Sequence, residues 1–456
     1  MATKKKIALL VPDGVGIKNY LYSNVFKDLS ASLTLLHNFD TDTIAHISEQ
    51  INIDDFTKIP TYDESIREKF LRELIHLSRI KHNVKLTGNK TIHHFYKREH
   101  KSLKLKIFYT LIEFVSWFVK GYSFILTLER WYESAIRKNR FYSAVESIFL
   151  ENRPDIVFCT HQRALKSPTV FAAARDMGIK TVTVIYSWDN IPKARLALKA
   201  DLYLVWSTYM KKELTLFYPE IPSEKIKITG TPQFEFYKNP EFVIEREEFF
   251  ERFGLDKKKK SICFSGDDEK TSPHDPNYLN DLACQIIEAG MENNCQVILR
   301  RCPVDISGRY DWVMAKFPEL IIAMPPLWNY NTKIWSAVYP TYEDVSVLVS
   351  LAYYTDVVVN VGSTMAFDFG MFDKPCIFIN YDTIIDKKWS VKTIYNFQHF
   401  KSLPEKNAVY WFNSQNEIVS VLKNALYDPN TTIKKWIDIV VENLGSASEK
   451  IKNELK

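Results

Sequence analysis

Apolar and polar positions change period repeatedly along this chain. The opening KIALLVPDGVGIKNYLYSNVFKDLS reads as a strand, a glycine-containing loop and a helix. Residues 62–150 keep a helical period almost throughout. RPDIVFCTHQ, SPTVFAAARDMGIK and TVTVIYSWDN then read as strand, helix, strand, and ADLYLVWSTYMKKELTLFY and KIKITGTPQF continue the alternation. A second series follows with SICFSGDD, NYLNDLACQIIEAGMEN, QVILRRCP, TYEDVSVLVSLAYY, DVVVNVGS and CIFINYD, and the tail from Asn416 returns to a helical pattern. Strands that alternate with helices predict parallel, doubly wound sheets.

The expected architecture is therefore α/β, with two Rossmann-like doubly wound domains in series facing a central cleft. The first spans 1–240 with a helical insertion around 62–150. A charged linker covers 241–258, the second domain spans 259–430, and a helix over 431–456 packs back on the first. Ligands of such sheets bind beyond the carboxyl ends of the strands. That rule selects the loops at 13–16, 160–162, 187–190, 230–233, 266–268, 300–301 and 362–364.

Composition changes this picture little. The chain has 456 residues, 25% charged and 46% apolar, with a net charge of +5, as an ordinary globular protein does. The lysines are scattered, so no nucleic-acid partner is expected. Cysteines 159, 263, 284, 295, 302 and 376 form no C-x-x-C pair and read as buried free thiols of a reducing compartment. With no export signal and no long uncharged apolar run, the expected location is cytoplasmic.

The candidate chemistry starts at Gly362, Ser363 and Thr364, between an apolar strand and a helix-like stretch. A helix start presents unpaired amides and about half a positive charge, ~+0.5, which suits a diphosphate. Asp368, one turn on, is placed to accept ribose hydroxyls, and Arg300 and Arg301 to neutralise phosphate. The competing reading of the Gly-Ser-Thr element is a simple helix cap. Three groups compete as a general base, ordered Asp189, Asp13, His161; each has an ordinary structural alternative as a turn, a cap or a buried histidine. Adjacent His93 and His94 do not face one ion from one helix, and the acidic run 266–269 has no partner cluster in sequence, so no metal and no cofactor are expected.

GSTMAFDFGMFDKPCIFINYD (362–382) is similar in order and spacing to a segment of the CDP-glycerol glycerophosphotransferases, the teichoic-acid polymerases, within the wider GT-B glycosyltransferases that include capsule and lipopolysaccharide enzymes. YSWDNIPKA resembles that family's WHGTPLK segment and KIKITGTPQFEFY its G-x-P-R loop; together the likeness covers roughly residues 155–382. It implies a nucleotide-activated donor, here a sugar, bound mainly by the second domain, with Ser363 and Thr364 at its phosphates and Asp368 as the acid of the motif; the strand-end loops add Gly362, Arg300, Arg301, Gly230 and Gly266 to the donor side. It implies an acceptor, expected to be a glycan or lipid-linked glycan, bound by the first domain; the strand-end loops place Gly14, Gly16, Trp188 and Asn190 on that side. Asp189 stands where the family carries a histidine, Cys302 where it carries another, and Gln233 where it carries an arginine. A carboxylate in place of the histidine favours transfer of a sugar over transfer of glycerol phosphate. The same fold admits a glycerol- or ribitol-phosphate transferase, a nucleotide-sugar 2-epimerase, or a non-catalytic scaffold.

Residues 97–140 add one more expectation. An aromatic, apolar centre with only Glu113 and Lys120 charged between 107 and 128 is flanked by basic residues, among them Lys101, Lys104 and Lys106. Two charges near the middle disfavour spanning, at ~2.5–3.5 kcal/mol each. The alternatives are peripheral contact with the inner face of the cytoplasmic membrane and a pair of buried helices covering the first sheet.

Overall fold

The computed structural model describes residues 4–98, 102–330, 338–430 and 433–456, so Lys101 lies outside the described residues. The chain divides into two compact units, one of Met1–Pro232 with Phe397–His399 and Val440–Lys456, the other of Gln233–Asn396 with Phe400–Ile439.

The first unit is built on strands β1 (Lys5–Leu10), β2 (Ala31–His37), β3 (Asp55–Lys58), β4 (Ile156–Cys159), β5 (Lys180–Val184), β6 (Leu202–Val205) and β7 (Ile226–Ile228). They form one seven-stranded parallel sheet in the order β3-β2-β1-β4-β5-β6-β7. The register sets Leu9 beside Leu35 on one side and Phe158 on the other. Residues 7–10 and all of β4 are buried, as an apolar run covered on both faces requires.

The second unit repeats the design with β8 (Lys260–Ser265), β9 (Cys295–Arg300), β10 (Ile321–Ala323), β13 (Val357–Asn360), β14 (Cys376–Ile379) and β15 (Tyr410–Phe412), ordered β10-β9-β8-β13-β14-β15. A short antiparallel ladder, β11 (Trp328–Asn329) with β12 (Tyr339–Pro340), lies beside it in sequence. Each sheet reverses its strand order once, between β1 and β4 in one unit and between β8 and β13 in the other. The loops after those strands are where Rossmann-like sheets hold ligands. The charged stretch 241–258 belongs to the second unit, where the helix Arg246–Arg252 buries Phe249 and Phe250.

Between β3 and β4 the chain is helical. The helix Ile66–Thr87 starts at a capping box: Ser65 Oγ accepts from the Glu68 amide, and the Glu68 carboxylate accepts from the Ser65 amide at 2.6 Å. It stops at Gly88 in a left-handed conformation. Leu71, Leu74 and Ile75 of this helix pack with Tyr109 and Ile112 of the helix Leu103–Ser116 and with Ile125, Leu128 and Tyr132 of the helix Tyr122–Ile136. Buried Arg79 ties the insertion to the loop that leads into β7. Its guanidinium donates to Glu129 and, at 2.6 Å, to Glu220, and at 2.8 Å to the hydroxyl of Tyr122.

Substituting Arg79→Leu strips Glu129 and Glu220 of their shared cation. The expected loss is ~3–5 kcal/mol, the cost of leaving buried charge uncompensated. It is read as a fall in the urea midpoint, and an unchanged midpoint would show that the network adds nothing to stability.

Candidate functional site

At the reversal point of the first sheet, β1 runs into Asp13 and β4 into Thr160 and His161. Asp13 is extended and buried; one carboxylate oxygen accepts from the Gly16 amide at 3.0 Å, capping the single turn Gly14–Gly16. The other accepts a short hydrogen bond from Nδ1 of His161. Burial alone would raise the Asp13 carboxyl, but the hydrogen bond and charge of His161 and the amides of Gly16 and Val15 outweigh it. The group is held below its ordinary range. An ionised carboxylate only accepts, so Nδ1 carries the hydrogen of this bond, and Nε2 is the nitrogen left to exchange a proton. Nε2 is buried and has no hydrogen-bond partner among the described residues. Tyr186, just past β5, stacks on the imidazole at 4.0 Å between centroids and 17° between planes. Gly16 allows the turn to lie against β4, since a Cβ there would stand 2.5 Å from Thr160 Oγ1.

Asp189 is in different surroundings. Lys193 makes a close ion pair with its carboxylate, and the Asn190 side chain donates to it at 2.8 Å. Burial would raise this group, but Lys193, His399 and Asn190 hold it well below the usual carboxylate range. A carboxylate so stabilised as an anion takes up protons poorly. His399, from the segment Phe397–His399 of the same unit, is pushed down to about 4 by burial, with Lys193 acting in the same direction. Trp188 meets it edge to face at 4.6 Å. Asn190 is buried and accepts from Arg163 at 3.1 Å and from Gln162 at 3.4 Å. Lys193 was legible as the i+4 partner of Asp189; His399 and Tyr186 left no local signal.

In the second unit, β13 ends in the turn of Gly362, Ser363 and Thr364. Gly362 has φ +66, and a Cβ on it would meet Phe400 at 2.7 Å, so the position demands glycine for two independent reasons. The helix that follows, Met365–Gly370, has only six residues. Its entry meets much of its own hydrogen-bonding need: Asn360 Oδ1 accepts from the Ser363 amide at 2.9 Å, and the Ser363 carbonyl accepts from the Ala366 amide at 3.1 Å. Asp368 is buried on that helix against the Tyr237 hydroxyl, whose ionisation is suppressed first by burial and then by the Asp368 charge. The arginine pair divides. Arg300 is buried, donating to Asp344 at 2.7 Å and to the Pro325 carbonyl at 3.0 Å, which occupies it inside the protein. Arg301 is half-buried with no ion pair or hydrogen bond among the described residues.

Two further glycines are explained by the protein's own packing. A Cβ on Gly230 would lie 2.3 Å from the Glu442 carbonyl of the C-terminal segment, and one on Gly266 2.2 Å from the Tyr310 hydroxyl. Gly230 belongs to the first unit, and the other residues assigned to the donor belong to the second. After Gly266, the Asp267 carboxyl is pushed up to about 7 by burial and by the charge of Asp275. Asp275 is pushed up to about 6 by burial, partly offset by hydrogen bonds from Ser272 and the Asp267 amide. Among the described residues, no group of three or more His, Cys, Asp or Glu side chains is placed to hold a metal ion.

No protein-family model matches the sequence, and no curated protein matches it. Solved structures do match the fold. A UDP-GlcNAc 2-epimerase from Methanocaldococcus jannaschii is 11% identical, with 99% of each chain covered and a TM-score of 0.55. The enzyme of that name from Neisseria meningitidis, bound to UDP-GlcNAc, is 12% identical over 99% of each chain with a TM-score of 0.52. One from Rickettsia bellii is 11% identical over 99% of this chain and 96% of that one, with a TM-score of 0.53. The fold is of the GT-B type. At such low identity the likeness concerns the two Rossmann-like sheets and their connectivity.

The raised acids of the second unit carry a signed pH dependence. Between the ordinary value of 3.8 and about 7, folded Asp267 keeps a proton that the unfolded chain has lost, so its contribution to stability falls as pH rises through that window. Asp267→Asn removes this penalty while retaining an acceptor for the Asp268 amide. Its melting temperature is expected to exceed wild type by several degrees at pH 8 and by much less at pH 4. A difference independent of pH would show that Asp267 titrates normally.

Proposed function

We propose that the chain is a nucleotide-sugar enzyme that transfers the sugar to an acceptor hydroxyl, with His161 as general base and Asp13 as its orienting partner. The reading rests on one observation: a histidine whose Nδ1 hydrogen is held by a buried carboxylate, and whose Nε2 has no partner among the described residues. Nε2 takes the hydroxyl proton as the oxygen attacks the anomeric carbon. The bond from that carbon to the diphosphate oxygen breaks, and its electron pair leaves on the nucleoside diphosphate. Asp13 stabilises the imidazolium that forms. Attack opposite the leaving group inverts the anomeric centre. Asp189 is a weaker candidate, since its ion pair with Lys193 lowers its basicity.

On the donor side, the turn of Gly362, Ser363 and Thr364 receives the diphosphate, and Arg301 is the cation available to it. Arg300, Asp368, Gly266 and Gly230 serve as structural support around these elements. The acceptor is a glycan hydroxyl, lipid-linked in the reading taken from the sequence resemblance. UDP is the first nucleotide to try, because one structure of similar fold holds UDP-GlcNAc and another holds UDP.

A second reading, 2-epimerisation of a nucleotide sugar, is supported at least as well, since UDP-GlcNAc 2-epimerases are similar in fold over the whole chain. A histidine base serves that chemistry too, taking a carbon-bound proton in place of a hydroxyl proton. A third, glycerol- or ribitol-phosphate transfer, rests on the sequence resemblance over roughly residues 155–382.

The readings separate on incubation with UDP-GlcNAc in heavy water. Epimerisation gives the 2-epimer carrying deuterium at C2 without acceptor. Sugar transfer gives UDP only when a glycan acceptor is present. Glycerol- or ribitol-phosphate transfer gives no product from UDP-GlcNAc; it needs a CDP-activated alditol and releases CMP. His161→Gln is expected to lower turnover by ~10²–10⁴ with little change in KM, and Asp189→Asn by clearly less. Equal turnover for His161→Gln and wild type would overturn the assignment of the base. In a thermal-shift panel of UDP, CDP, GDP, dTDP and CMP, at least one nucleotide is expected to raise the melting temperature. A silent panel would favour a non-catalytic scaffold.

A further inference from the structure

The helix Leu103–Ser116 is apolar on two opposite faces. One face carries Tyr109 and Ile112 into the core of the helical insertion. On the other, Leu103, Ile107, Leu111, Phe114 and Phe118 recur at spacings of four and three. At about 100° per residue they form a single stripe. All five are exposed, from 49% at Leu111 to 73% at Leu103, and Trp117 beside them is 71% exposed. Phe114 and Phe118 touch edge to face at 5.3 Å, so the stripe continues past the end of the helix. A folded protein rarely leaves so long an apolar row in water unless something covers it.

The charges around the stripe indicate what does. Lys104 and Lys106 flank it, one on each side, both exposed and without an ion pair among the described residues. The helix has one acid, Glu113, and Arg98 neutralises it at 3.2 Å. A protein groove shaped for this face would have to bring acids to both flanks. An apolar layer beneath a sheet of anionic headgroups supplies that arrangement along its whole length. Fourteen residues extend only ~21 Å, too short to span a bilayer. Among the described residues, no helix is long and apolar enough to cross a membrane.

We infer that the exposed face of the helix Leu103–Ser116, with Trp117 and Phe118, docks the protein on an anionic phospholipid surface. The helix lies in the plane of the interface, its apolar stripe ~5–10 Å deep among the acyl chains and its lysines at the phosphates. Trp117 sits at headgroup level, where indole rings are favoured. This surface belongs to the first unit and does not depend on which reaction the protein catalyses, so it stands or falls separately from the proposed function.

The test is co-sedimentation of the full chain with vesicles of phosphatidylcholine alone or mixed with phosphatidylglycerol. Wild type is expected to pellet with the anionic vesicles and to be released by added salt. Leu111→Asp with Phe114→Asp should weaken binding roughly tenfold or more, since two large apolar side chains lose their burial. Lys104→Glu with Lys106→Glu, which leaves the stripe intact, should abolish the preference for anionic vesicles. All substituted positions are exposed, and far-ultraviolet circular dichroism checks the fold of each variant. Wild type remaining in the supernatant, or both double variants pelleting like wild type, would overturn the inference. So would a wild-type dimer in sedimentation velocity that Phe114→Asp dissociates, because the face would then be covered by a second copy.

Discussion

A carboxylate that accepts from Nδ1 decides what a histidine is able to do. With that hydrogen held by Asp13, the imidazole of His161 has Nε2 left to exchange a proton and its ring plane fixed by Tyr186. The three side chains follow three strands, β1, β4 and β5, that are neighbours in space and remote in sequence. The pair therefore depends on the sheet order. It depends equally on Gly16, because any side chain there would push the Asp13 turn away from Thr160.

The charged groups of the two units divide by whether the fold has already satisfied them. Arg79, Arg300 and Asp189 have counter-ions, and Asp368 lies against a tyrosine hydroxyl; each is a settled interaction that a ligand would have to break. His161 Nε2 and Arg301 have no such partner among the described residues. Desolvation makes this distinction consequential. A buried group with its partner in place costs several kcal/mol to disrupt, whereas an unsatisfied one gains from a ligand that completes it.

The helical insertion follows similar bookkeeping with apolar surface. The helices Ile66–Thr87, Leu103–Ser116 and Tyr122–Ile136 bury a common core, and burial of one stripe per helix is sufficient to fold them. The second stripe on Leu103–Ser116 exceeds what folding requires.

The alternation of strand and helix patterns was enough to read two doubly wound sheets, because side-chain period follows directly from backbone geometry. It was also enough to name the strand-end loops, and so Asp13, His161 and Gly362, since those loops are local breaks in the pattern. The roles of Asp189, Asp368 and Arg300 were not legible. Residue type says that a side chain can carry charge; only the neighbours that three-dimensional folding supplies, Lys193 and His399, Tyr237, or Asp344, say whether that charge is already spent. Periodicity likewise marked residues 97–140 as helical with an apolar centre, but which apolar face turned inward depended on the other helices. Sequence records what each residue can do locally, and partnership between distant residues exists only once the strands are ordered and the core has closed.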